Sequence, residues 1–147
     1  MAARPMILVA APATVFNKLQ GAFADRADLM NAETFDTAAQ LLREPRLELF
    51  LLCYVFDDVR PYRILNHLGA QDLPEVTTVL VRALPVPLRE SEKDVEEAYR
   101  QLGVSLFVNL SDDERLHGHP AVERFAERML TLISAARRRA GPAAALG

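Results

Sequence analysis

Four groups of side chains in this chain are of types that do chemistry. Cys53 is a thiol at the end of a long apolar run, and it becomes a nucleophile if a nearby positive charge lowers its pKa. Asp57 and Asp58 follow closely, and paired carboxylates are what a hard divalent cation seeks. Arg82 ends a β-branched run and offers a planar, permanently charged fork to an anion or carboxylate. His117-Gly118-His119 puts two imidazoles near each other, without the companion ligands that a metal site needs. Each group has a plainer reading. Cys53 serves equally as a small core hydrophobe. Asp57 and Asp58 serve as polar loop residues turning the chain toward the next helix. Arg82 serves as a solvated arginine, and the two histidines lie in a loop before Pro120, with His119 placed to cap. His67 is read as a surface residue. Arg137-Arg138-Arg139 complement the negative end of the last helix rather than reaching for nucleic acid.

The elements that position these residues alternate between two periodicities. Met6 to Ala11 is a short Ile/Leu/Val run ended by Pro12. Thr14 to Ala24 then has helical spacing, with Phe16, Leu19 and Phe23 as its apolar stripe. Asp28 to Ala32 is a weak second strand. Thr34 is a good N-cap for a helix from Phe35 to Arg43 with Phe35, Ala38, Ala39 and Leu42 inward. After Pro45 comes Leu47 to Phe56, a near-continuous apolar run that suits a strand covered on both faces. Pro61 opens a short helix with Ile64, Leu65 and Leu68 buried and Gly69 past its end. Val76 to Leu84 is the fourth strand. Pro85 and Pro87 stiffen the loop after it. Ser91-Glu92-Lys93-Asp94 signals a helix from Glu92 to Leu102, with Val95, Tyr99 and Leu102 on one face and Gly103 closing it. Val104 to Leu110 is the fifth strand. Pro120 starts the longest helix, to about Arg139, with Val122, Phe125, Met129, Leu132, Ile133 and Ala136 inward.

Five βα repeats joined by short connections predict an α/β fold, a doubly wound parallel sheet of flavodoxin-like order 2-1-3-4-5. The polar groups that could do chemistry then gather at the carboxyl ends of the strands. A chain of 147 residues suits one domain, taken as residues 6–140, with residues 141–147 as a fraying tail. The net charge of -3 favours neither nucleic acid nor an anionic membrane. A single cysteine excludes an intrachain disulfide and points to a reducing, cytoplasmic setting. No signal-peptide core or membrane span is recognisable.

In element order and size, from Met6 to about Arg139, the chain resembles a response-regulator receiver (CheY-like) domain. The agreement is best in Met6-Ile7-Leu8-Val9, Glu48-Leu49-Phe50-Leu51-Leu52, Val79-Leu80-Val81-Arg82-Ala83-Leu84 and Tyr99-Arg100-Gln101-Leu102-Gly103-Val104. The resemblance implies an acidic pair after the first strand, an acceptor aspartate after the third, Ser or Thr after the fourth and Lys after the fifth. The chain departs at each position. Ala10-Ala11-Pro12 follows the first strand, Cys53 stands at the acceptor position, Arg82 replaces Ser/Thr, and Leu110 (or Asn109, with a one-residue slip) replaces Lys.

Phosphoryl transfer needs a metal and fixed cations around three charged oxygens, and alanines and a thiol supply no hard ligand. The pocket of Ala11, Pro12, Cys53, Arg82 and Leu110 is therefore read as degenerate, with no catalytic residue, metal or cofactor. Arg82 paired with Asp57 or Asp58 would put a fixed internal cation in the metal's place. The preferred expectation is a stand-alone pseudo-receiver, since only about eight residues follow the last helix, acting by phosphorylation-independent protein contact. The resemblance places the contact face on the fourth helix, fifth strand and fifth helix. Val95, Glu96, Tyr99, Arg100, Phe107, Arg124 and Arg128 are its candidate residues, and the partner is another protein or a second copy. Phe107, lacking a hydroxyl, is expected to pack rather than switch. Two alternatives stay open: a nucleotide- or anion-binding protein or enzyme using the cleft near Ala11, Cys53 and Arg82, and a thiol sensor centred on Cys53. Thr14 at a helix N-terminus is the asset of the first, which lacks a glycine-rich phosphate loop.

Overall fold

The computed structural model describes residues 3–56, 61–70, 76–88 and 90–146, leaving aside the side chains of 141–146. The apolar run that opens after Pro45 becomes the central strand. β3 (Leu47–Cys53) lies between β1 (Met6–Ala10) and β4 (Thr77–Val81). β2 (Asp28–Ala32) flanks β1, and β5 (Leu106–Val108) closes the other edge. All pairings are parallel and the order is β2-β1-β3-β4-β5, the expected flavodoxin-like arrangement.

Strand residues alternate between two faces, so each face builds its own apolar layer. Ile7, Val9, Leu49, Leu51, Val79 and Val81 pack against α1 (Ala13–Phe23) and α6 (His119–Leu146). Leu8, Ala10, Phe50, Leu52 and Leu80 pack against α2 (Phe35–Leu41), α3 (Tyr62–Ala70) and α4 (Glu92–Arg100). Helices on both faces are what allow β3 to be apolar at nearly every position. Arg137 of α6 ties the far end of the sheet, donating through Nε to Glu48 Oε2 at 2.6 Å and through Nη2 to the carbonyl of Ala3 at 3.0 Å.

Local signals set several boundaries as expected. The Thr34 hydroxyl accepts from the Thr37 amide at the start of α2, and the Ser91 hydroxyl accepts from the Asp94 amide at the start of α4. Other details differ. Val15, Leu19, Ala22 and Phe23 are the buried residues of α1, leaving Phe16 only half-buried, because the helix begins at Ala13 and its inward stripe is set by the sheet. α3 runs through Gly69 to Ala70, and α6 continues beyond Arg139.

The largest difference is an additional helix, α5 (Leu110–His117), where the fifth strand was expected to end and a loop to follow. The Asn109 side chain caps it by accepting from the Asp112 amide. Gly118, at φ +72°, ends it, and α6 starts one residue later. Among the described residues no helix is long and apolar enough to cross a membrane.

Candidate functional site at the carboxyl edge of the sheet

The strand register brings the candidate residues to one edge. Ala10 lies opposite Leu52, Cys53 opposite Val81, and Val81 opposite Val108. Backbone hydrogen bonds extend the ladder past the strands: Tyr54 N–H to Val81 O, Arg82 N–H to Val108 O, and Ser111 N–H to Arg82 O at 2.7 Å. Cys53, Val81 and Val108 therefore share one row at this edge with Ala11 beside them, and Arg82 and Asn109 stand one residue further along.

Their environments divide sharply. Ala11, Cys53 and Leu110 are each at most 3 % exposed and belong to one apolar cluster with Ala83 and Val108. Leu110 is the first residue of α5 and anchors it in the core, so it is a packing residue and not a strand-end pocket group. Pro12 is the N-cap of α1 and offers no side-chain cap to it. Burial pushes the Cys53 thiol above its ordinary pKa, against a weaker pull from the Val55, Ala83 and Tyr54 amides. Arg82 does not reach it as a hydrogen-bond partner, because the guanidinium is engaged elsewhere. Asn31, on β2, donates to the carbonyls of Val9 and Ala11 at 3.1 Å each, a side-chain brace that no motif in the sequence signals.

Arg82 is 9 % exposed, so it is not a solvated edge arginine. Its Nε donates to the Val86 carbonyl at 2.8 Å, and its Nη1 donates to Asn109 Oδ1 at 2.9 Å and Asp112 Oδ1 at 3.0 Å. Asn109 Nδ2 in turn donates to Asp112 Oδ2 at 3.0 Å and to Glu92 Oε1 at the start of α4. The Arg82 hydrogen bond, helped by its charge and by Arg115, holds the Asp112 carboxyl below the usual carboxylate range despite some opposing desolvation. Among the described residues the carboxylate partner is Asp112. Asp57 and Asp58, the partners expected from the sequence, lie outside the described residues. A signal for the Asp112 contact is present in Asn109-Leu110-Ser111-Asp112, which has the spacing of a helix cap and its third turn residue.

The expected contact face is less uniform than its sequence suggests. Val95 and Tyr99 are each 3 % exposed and point into the layer beneath α4, so neither is available to a partner. Tyr99 stacks on Tyr62 with ring centroids 4.8 Å apart. Phe107 is half-buried and packs on the same layer. Arg100 is exposed and pairs with the half-buried Glu96 at 2.8 Å, while Arg124 and Arg128 are exposed on α6. His119 pairs with Glu123 at 3.3 Å, and His67 packs edge-on against Phe35. Among the described residues no group of three or more His, Cys, Asp or Glu is placed to hold a metal.

No family model matches the chain, and no curated protein matches it. Solved structures do share its fold. A response-regulator receiver domain protein (CheY-like) from Methanospirillum hungatei superimposes with a TM-score of 0.67 at 9% identity, covering 94% of this chain and 99% of that one. A response regulator from Hahella chejuensis gives 0.68 at 11% identity over 88% of this chain and 97% of that one. The signal receiver domain of an HD domain-containing protein from Pseudomonas fluorescens gives 0.60 at 20% identity over 90% and 99%. The fold is that of a CheY-like receiver.

Proposed function

We propose that the chain is a receiver-like domain that works without phosphorylation, as a protein-binding module of a bacterial signalling or regulatory system in the cytoplasm. The observation that supports this reading most directly is the state of the crevice. Ala11, Cys53 and Leu110 lie within the apolar core, and the Arg82 guanidinium is already hydrogen-bonded by Val86, Asn109 and Asp112. A phosphoryl group needs a hard-ion cradle and uncommitted cations, and these residues supply neither. The same commitment of Arg82 counts against an anion- or nucleotide-binding cleft at Ala11, Cys53 and Arg82. The burial of Cys53 counts against a thiol sensor. A module of this kind acts by contact, and exposed charges on α4 and α6, Arg100, Arg124 and Arg128 among them, suit a protein partner or a second copy.

The decisive experiment titrates the purified chain with Mg²⁺ and beryllofluoride, followed by melting temperature and by amide NMR shifts around Cys53 and Arg82. No saturable change is expected. A saturable shift centred on that crevice would overturn the proposal.

A further inference from the structure

The hydrogen bonds of Arg82 join three segments that are separate in sequence. Its Nε holds the carbonyl of Val86, in the proline-bounded loop that leads to α4. Its Nη1 holds Asn109 and Asp112, the cap and first turn of α5. Asn109 passes the connection on to Glu92, in the first turn of α4. The loop after β4, the start of α4 and the start of α5 therefore share one buried cation. A buried charge whose partners are removed leaves the remaining groups unsatisfied, so such a cluster opens as a unit or stays closed.

We propose that Arg82 is the centre of an internal latch that holds the loop after β4, the start of α4 and the start of α5 in a single conformation. Its functional meaning rests on the receiver-like reading above; its geometry does not. Three features favour a latch over an incidental ion pair. Arg82 is nine-tenths buried, and its three acceptors among the described residues come from two segments 4 and 27–30 residues away. Pro85 and Pro87 flank Val86, so the carbonyl that Arg82 holds sits in backbone with little freedom to relax on its own. Lysine would not substitute, since a compact ammonium cannot serve a carbonyl on one side and an amide and carboxylate on the other from a planar fork.

The test is amide hydrogen exchange by NMR on the intact chain and on Asp112→Ala, Arg82→Ala and the double variant. Among the described residues Asp112 has no hydrogen bond or ion pair with Val86 or with α4, so a latch predicts that Asp112→Ala speeds exchange at Val86 and Val95 by about tenfold. The double variant should then exchange no faster than Arg82→Ala, the non-additivity of groups that act together. Should Arg82→Ala fail to fold, Arg82→Lys replaces it, with the same non-additivity expected. Unchanged Val86 and Val95 exchange in Asp112→Ala, or double-variant rates equal to the product of the singles, would overturn the latch. The two proposals fail separately. A beryllofluoride response with coupled exchange removes only the functional reading, whereas uncoupled exchange without such a response removes only the latch.

Discussion

Cys53 shows how strongly a local environment decides what a side chain can do. As a thiol at the end of a central strand it occupies the place of a nucleophile, yet its neighbours are Ala11, Val81, Ala83 and Leu110. Burial raises its pKa in the folded state. The associated stability is therefore fully present below the ordinary thiol pKa and is lost as pH rises through the raised one. The thiolate, not the thiol, reacts. At mildly alkaline pH a thiol reagent should label the native chain at least about a hundredfold more slowly than the urea-unfolded chain, because labelling must wait for opening. Equal rates would mean an accessible, ionised sulfur. That Cys53 would be buried was legible from its apolar flanks. That Arg82 would spend its charge on Asp112 was not, since the pairing spans 30 residues and depends on where α5 begins.

At the scale of elements, α5 is the part of the chain that its own pattern concealed. Ser111-Asp112-Asp113-Glu114 is polar and precedes His-Gly-His, so it scans as a loop; the helix is fastened instead by single contacts. Leu110 is buried, Lys18 of α1 pairs with Glu114 at 2.8 Å, and Asn109 caps the first turn. Gly118 completes it, its N–H reaching the Glu114 carbonyl at 2.7 Å from a backbone at φ +72°. A Cβ at Gly118 would have room, with Pro120 Cδ 3.8 Å away, so the cost of a side chain there is backbone strain alone. Gly118→Ala should lower stability by about 1 kcal/mol in a urea melt. Gly21, in the last turn of α1 with open space around its Cβ position, gives the opposite sign. Gly21→Ala should raise stability by roughly 0.5–1 kcal/mol. A shared sign for the two substitutions would show that the helix ends are not set as described.

At the scale of the whole molecule, stability rests on two apolar layers separated by one sheet, and β3 contributes to both. Leu49, Leu51 and Cys53 face α1 and α6, while Phe50 and Leu52 face α2, α3 and α4. Phe50 is fully buried, so Phe50→Ala should cost about 3–5 kcal/mol in equilibrium unfolding, the amount expected for a large aromatic removed from a packed core. A loss below about 1 kcal/mol would mean that this layer is loosely packed. Solved receivers of 9% to 20% identity share this two-layered fold.

Chain order alone determined the five strands, their parallel order and the two-sided covering of β3, because hydrophobic periodicity and short connections leave few ways to bury that much apolar surface. Tertiary structure decided what Arg82 holds and that α5 exists. Those outcomes depend on distances between segments far apart in the chain, and side-chain pairing across such separations leaves no periodic mark in the residues that make it.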